Sequence, residues 1–224
     1  MTAKLNSVII NPSVAHTATV IFLHGLGDSG QGWSFMANTW SNFKHIKWIF
    51  PNAPSIPVTV NNGMKMPAWY DIYSFADMKR EDENGILRSA GQLHELIDAE
   101  LALGIPSDRI LIGGFSQGCM VSLYAGLTYP KRLAGIMGHS GFLPLASKFP
   151  SALSRVAKEI PILLTYMTED PIVPSVLSSA SAKYLINNLQ LKCLDRPFEG
   201  DAHSLSSESF MAMYKFTQTV IGSP

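Results

Sequence analysis

The chain has 224 residues, 46% of them hydrophobic and 15% charged, which is enough apolar material for a substantial core and too ordered a composition for a disordered segment. Seventeen basic residues balance seventeen acidic ones, so no long-range field favours nucleic acid or an anionic membrane surface. The two cysteines, Cys119 and Cys193, have neither metal-ligand spacing nor the company a disulfide framework needs, which fits a reducing compartment, and no run of 18 apolar residues spans a bilayer.

The N-terminus, Met1-Thr2-Ala3-Lys4-Leu5-Asn6, lacks an apolar signal core and an acceptor glycine for myristoylation, and no prenylation box ends the chain. The expectation is a soluble, cytoplasmic protein, with nuclear access open at this size. Apolar runs near 7–10, 18–23, 46–50, 109–113, 133–138, 161–167 and 192–198 read as strands, with helical patterns between most of them. Alternation of this kind predicts parallel pairing through right-handed crossovers, hence a single α/β domain over residues 1–224: a three-layer sandwich with a mostly parallel central sheet and helices on both faces. No repeat or linker interrupts it.

In chain order, the run Val20-Ile21-Phe22-Leu23 leads into the glycine-rich loop His24-Gly25-Leu26-Gly27-Asp28. A phosphate-cradling role is disfavoured, since the Gly-Lys-Ser/Thr ending is absent and no dinucleotide glycine pattern is completed. Residues 51–84 form one long irregular stretch with several prolines, and a connection of that length in a compact domain usually carries function. Next comes an amphipathic helix with Ile86, Ala90, Leu93, Ile97 and Leu101 on one face and Arg88, Gln92, Glu95 and Asp98 on another, stopping at Gly104 with Pro106 beyond.

The run Arg109-Ile110-Leu111-Ile112-Gly113 then meets Gly114-Phe115-Ser116-Gln117-Gly118, followed by Cys119, Met120, Leu123, Tyr124 and Leu127 at helical spacing. Strand, tight turn and helix around one serine make a nucleophile elbow, whose flanking positions must be small for the turn to close. Ser116 needs a base, because an alcohol is essentially un-ionised at neutral pH. In α/β-hydrolases the order is serine, acid, histidine, which removes His16, His24, His45 and His94 and leaves His139, placed too early and read as a packed residue, and His203. His203 lies in Glu199-Gly200-Asp201-Ala202-His203-Ser204, between the last strand and the terminal helix.

The orienting acid comes from Glu159, Glu169, Asp170, Asp195, Glu199 and Asp201. Asp170 is chosen for its place after the strand Ile162-Leu163-Leu164-Thr165-Tyr166 and for the rigidity of Asp170-Pro171-Ile172-Val173-Pro174, with Glu169 in reserve. Asp-Pro also commonly forms a plain turn. The oxyanion requires two backbone donors, assigned to Gln117 at a helix N-terminus and to Leu26 in the glycine-rich loop. Met64, Met66, Trp69, Ile72 and Phe75, in the irregular stretch beside Leu26, are the candidate lining of an acyl groove, with core packing the competing role for each. No metal-ligand cluster or cofactor motif is present in the pattern, and none is expected.

These segments carry a resemblance. Phe22-Leu23-His24-Gly25-Leu26-Gly27-Asp28-Ser29-Gly30, Phe50-Pro51-Asn52-Ala53-Pro54, Met66-Pro67-Ala68-Trp69-Tyr70-Asp71-Ile72, Gly113-Gly114-Phe115-Ser116-Gln117-Gly118 and Glu169-Asp170-Pro171-Ile172-Val173-Pro174 together resemble an acyl-protein thioesterase of the small carboxylesterase/lysophospholipase group of α/β-hydrolases. The resemblance implies a Ser116, Asp170, His203 triad, oxyanion amides from Leu26 and Gln117, and hydrolysis of palmitoyl thioesters on S-acylated proteins. Oxygen-ester hydrolysis of lysophospholipids or short-chain esters is the alternative within enzymes, and a non-catalytic lipid-binding relative the alternative outside them. The implied partners are S-acylated proteins and lipid esters, with at most peripheral membrane contact; a weak homodimer is left open. Two positions depart from the family pattern. Tyr166-Met167 stands where a His-Gly pair is usual, which puts the backbone path to Asp170 in question, and Cys119 replaces a glycine: it is read as a small core residue packing helix against strand with little effect on the elbow, with sensitivity to thiol reagents a further expectation.

Overall fold

The computed structural model describes residues 5–74, 77 and 80–224. In chain order the elements are β1 (Ser7–Ile10), β2 (Ala18–Leu23), α1 (Gly30–Trp33), α2 (Phe35–Thr39), β3 (Ile46–Pro51), β4 (Ser55–Val58), β5 (Met64–Pro67), α3 (Glu83–Ala102), β6 (Ile110–Phe115), α4 (Gln117–Thr128), β7 (Gly135–His139), β8 (Ile162–Met167), α5 (Ser175–Lys183), β9 (Cys193–Phe198) and α6 (Ser207–Ile221). Among the described residues seven strands make one sheet in the order β1-β3-β2-β6-β7-β8-β9, antiparallel only where β1 meets β3.

The strand period of two explains how this sheet holds helices on both faces. In β2, Val20 and Phe22 point into one cluster with Trp33 and Met36 of α1 and α2 and with Met213 and Phe216 of α6. Ile21 and Leu23 point the other way, into a cluster with Ile86, Leu93 and Ile97 of α3 and Val121 and Leu123 of α4. β6 and β8 split the same way, Leu111 and Leu163 against Ile112 and Leu164. A strand buried on both sides needs apolar residues at every position, hence the unbroken runs.

Helix α3 starts where Asp82 accepts from the Gly85 amide and ends short of Gly104, whose φ of 92° closes the helix as its sequence position predicts. Two residues on its inner side depart from the apolar pattern: Ser89, whose hydroxyl donates to the Trp69 carbonyl, and Glu100, which is matched by Lys47 Nζ at 2.6 Å and the Thr19 hydroxyl at 2.9 Å. No helix among the described residues is long and apolar enough to cross a membrane.

The stretch 51–84 departs from its expected irregularity. β4 and β5 pair antiparallel as a separate two-stranded ribbon in which Pro57 faces Lys65 and Ser55 faces Pro67. Proline lacks the amide a ladder requires, so two prolines argue against strands in sequence and are tolerated here because each strand has a free edge. From the far end of this ribbon the chain returns to the sheet through Ala68, Trp69 and Tyr70, all buried.

Candidate active site

The site stands at the C-terminal ends of β2, β6, β7 and β8. Strand β6 ends at Phe115, and Ser116 follows with φ 52° and ψ −118°, a strained conformation for a residue with a side chain, before α4 begins at Gln117. The turn closes because its flanks carry no Cβ. One at Gly114 would lie 2.3 Å from the Gly118 carbonyl carbon, and one at Gly118 would lie 2.3 Å from the Leu23 carbonyl oxygen. The Ser116 amide is anchored to the His139 carbonyl at 2.9 Å.

His203 Nδ1 donates to Asp170 Oδ2 at 2.6 Å, and Ser116 Oγ donates to His203 Nε2 at 2.9 Å. The proton positions follow from chemistry: a carboxylate only accepts, so Nδ1 carries the hydrogen and Nε2 faces the hydroxyl as acceptor. The other oxygen of Asp170 accepts the Ile172 and Val173 amides, each at 2.9 Å, so the Asp-Pro turn and the orienting carboxylate are one structure. Asp170 is buried while Glu169, Glu159, Glu199 and Asp201 are exposed, and of the six carboxylates weighed Asp170 alone meets His203 among the described residues.

The backbone path through Tyr166-Met167 is regular. Past the ends of β8 and β9 the parallel ladder continues, Thr168 N to Phe198 O at 2.8 Å and Glu169 N to Gly200 O at 2.9 Å, so the acid's loop and the histidine's loop run side by side. Met167 is buried, with its methyl against Gly200, where a Cβ would lie 2.4 Å away. Cys119 packs in the core as expected, which corrects the expected thiol sensitivity. It is fully buried, burial pushes its thiol pKa well up, and its sulfur fills the space left by Gly138 and Gly141, so it is a packing residue out of reach of reagents.

Leu26 and Gln117, the expected oxyanion donors, both line the cavity beside Ser116. Gln117 opens α4, where a first-turn amide has no partner within the helix. The Leu26 loop is braced at three points. The buried His24 ring donates from Nδ1 to Gly25 O at 2.6 Å and accepts the Ala53 amide at 3.0 Å, the Gly27 amide reaches Pro67 O at 2.8 Å, and Asp28 accepts from Trp33 Nε1 at 2.9 Å. Burial also lowers the His24 pKa, which keeps the ring neutral as this pattern of one donor and one acceptor requires.

Ser116 and His203 open onto a cavity of about 300 Å³ walled by Leu26, Ile72, Met120, Phe142, Ile172 and Val173. Of the residues expected to line an acyl groove, Ile72 does so. Met64 is 65% exposed on the β4–β5 ribbon, and Met66 is occupied by the Asn61 side chain, so neither reaches the cavity. Phe75 lies outside the described residues. Trp69 is a core residue: its amide donates to Gln117 Oε1 at 2.8 Å, its indole N–H to His24 O at 2.9 Å, and its carbonyl accepts from Ser89. The Gln117 side chain, which the sequence suggests only as a backbone donor, also donates to Tyr70 O at 2.7 Å and so ties the 68–71 segment to the elbow. Trp69→Ala is therefore expected to cost about 3–5 kcal/mol of stability, measured by urea unfolding, and to affect short- and long-chain substrates alike. Phe142, Ile172 and Val173 wall the cavity instead, the last two in the turn that follows Asp170.

The phospholipase/carboxylesterase family model matches residues 5–221. The chain belongs to that family. Among curated relatives, it is 44% identical over 207 residues to acyl-protein thioesterase 1 of Yarrowia lipolytica, covering 90% of this chain and 91% of that protein. It is 41% identical over 217 residues to acyl-protein thioesterase 1 of Cryptococcus neoformans, covering 95% and 91%. Among solved structures it superposes on acyl-protein thioesterase 2 of Zea mays with TM-score 0.86 at 29% identity, over 97% of this chain and 99% of that one. On SOBER1 of Arabidopsis thaliana the TM-score is 0.84 at 31% identity, over 92% and 99%. The family's members share the α/β-hydrolase fold described above, and the protein is a hydrolase.

Proposed function

We propose that the protein is an acyl-protein thioesterase, a serine hydrolase that removes long-chain acyl groups from S-acylated proteins through an acyl-enzyme on Ser116. The observation that supports it most is the continuous hydrogen-bonded series Ser116, His203, Asp170 at the mouth of an apolar cavity, in a chain 41% and 44% identical to proteins named acyl-protein thioesterase 1. In the mechanism this supports, Ser116 Oγ attacks the thioester carbonyl as His203 Nε2 takes its proton, and the Leu26 and Gln117 amides hold the oxyanion. The C–S bond breaks, the thiolate takes the proton from Nε2, and water attacks the acyl-enzyme by the same route. Because thiolate leaves readily, deacylation limits turnover, and a pre-steady-state burst is the expected signature.

The acyl chain lies against Phe142, Ile172 and Val173. Each buried methylene contributes about 0.8 kcal/mol, so loosening the grip on two of them in Phe142→Ala lowers kcat/KM for a palmitoyl thioester by about 10-fold while a short-chain thioester changes little. A chain-length series measures this, and equal losses at both lengths would remove the assignment of the cavity to the acyl chain. The family's own description keeps oxygen esters as a second reading. Matched palmitoyl thioester and oxygen ester, compared by kcat/KM, separate the two. The proposed setting is the cytoplasm with access to the nucleus, tested by imaging a tagged chain.

A further inference from the structure

Beneath the relay lies a second histidine that the proposed reaction does not use. His139 is the last residue of β7 and is fully buried. Its carbonyl accepts the Ser116 amide at 2.9 Å, its Nδ1 lies 2.8 Å from Thr165 Oγ1 on β8, and its Nε2 lies 3.0 Å from the Ser204 carbonyl. A carbonyl only accepts, so Nε2 carries the hydrogen, and in the neutral ring Nδ1 accepts from the Thr165 hydroxyl, which also lies 3.1 Å from the Gly138 carbonyl. One residue therefore touches the nucleophile's backbone on one side and the residue next to His203 on the other. The Phe115 ring fills the angle between the two imidazoles, 5.8 Å from His139 and 4.7 Å from His203.

We propose that His139 is a positioning residue for the hydrolysis, its Nε2–H holding the Ser204 carbonyl so that the His203 ring stands at hydrogen-bonding distance from Ser116. The segment from β9 to α6 is fixed at one end by Glu169 N on Gly200 O and at the other by the reciprocal Ser206 and Ser209 cap. Between those points the His139 bond ties the loop's backbone to the sheet. A purely apolar side chain of similar size would fill the space but leave the part-buried Ser204 carbonyl without its donor, and the loop would shift to find another. The ring also has to stay neutral, since His203 turns cationic during acylation and a second cation beside it would oppose that. Burial achieves this, pushing the His139 pKa down to about 4.

This inference rests on the proposed Ser116, His203, Asp170 relay, and the test keeps the two apart. Full-length wild type, His139→Phe, His139→Gln and Ser116→Ala are assayed on a short-chain thioester. His139→Phe keeps an aromatic ring against Phe115 but removes the donor, and is expected to lower kcat about 10- to 100-fold with KM changed by no more than about twofold. His139→Gln carries an amide N–H about as far out as Nε2 and recovers most of the loss. Unchanged kcat in the Phe variant, or equal losses in Phe and Gln, overturns the proposal. Nitrogen NMR of the wild type reads the same question without a variant: a neutral ring protonated at Nε2 at pH 7 supports it, and protonation at Nδ1 overturns it. Full activity in Ser116→Ala would instead overturn the relay itself, whatever the His139 variants do.

Discussion

Asp170→Asn is expected to lower kcat by about 10⁴-fold while the protein stays folded. The asparagine oxygen can still accept the Ile172 and Val173 amides that Asp170 Oδ1 accepts now, so the turn survives. What changes is the face towards His203. An amide NH₂ donates where the carboxylate accepted, Nδ1 must become the acceptor, and the hydrogen moves to Nε2, pointing at Ser116 Oγ. A base already protonated on that side cannot take the serine's proton. Ser116→Ala removes the nucleophile altogether and is expected to cost on the order of 10⁶ in kcat, together with the burst and all fluorophosphonate labelling. The two losses should not add in a double variant, because the residues act as one unit. Steady-state kinetics beside thermal unfolding checks this, and additive losses would mean that Asp170 works apart from the serine.

Gly118→Ala is the largest expected effect on the fold. The added Cβ would lie 2.3 Å from the Leu23 carbonyl oxygen and 2.6 Å from that of His24, both main-chain atoms at the end of β2. Neither can swing aside as a flexible side chain would, so α4 has to back away from the sheet, with an expected cost of about 4 kcal/mol or more, or no folded protein. Gly91→Ala supplies the contrast. Gly91 lies exposed in the middle of α3 with nothing within 4 Å of a would-be Cβ, and alanine there is expected to stabilise by about 0.5–1 kcal/mol. Urea midpoints of the two variants should therefore move in opposite directions.

The sheet was legible because strands buried on both faces must be apolar throughout, and the runs at 18–23, 109–113 and 161–167 show that plainly. Three strand ends were read short. β3 continues to Pro51, β6 to Phe115 and β7 to His139, the last two past glycines that sit in the ladder where α4 packs beside them. The relay was legible because its chain order and loop positions are dictated by the fold's topology. The cavity wall was not. The expected methionines lie on a two-stranded ribbon that their prolines concealed, and the Trp69 ring turns inward to meet His24. Side-chain direction in an irregular segment has no period to read. Met120, read only as part of the helical pattern, sits four residues after Ser116, one turn along α4, and so reaches the cavity.

The proposed nucleophile and its proposed base are hung on strands of unequal security. Ser116 leaves β6, with β2 on one side and β7 on the other, whereas His203 hangs beyond β9, which ends the sheet and among the described residues has a single neighbour. Outer strands detach before inner ones when a protein is warmed or mildly denatured. The enzyme should then fall silent while most of its secondary structure is still intact, and recover on cooling as that margin re-forms.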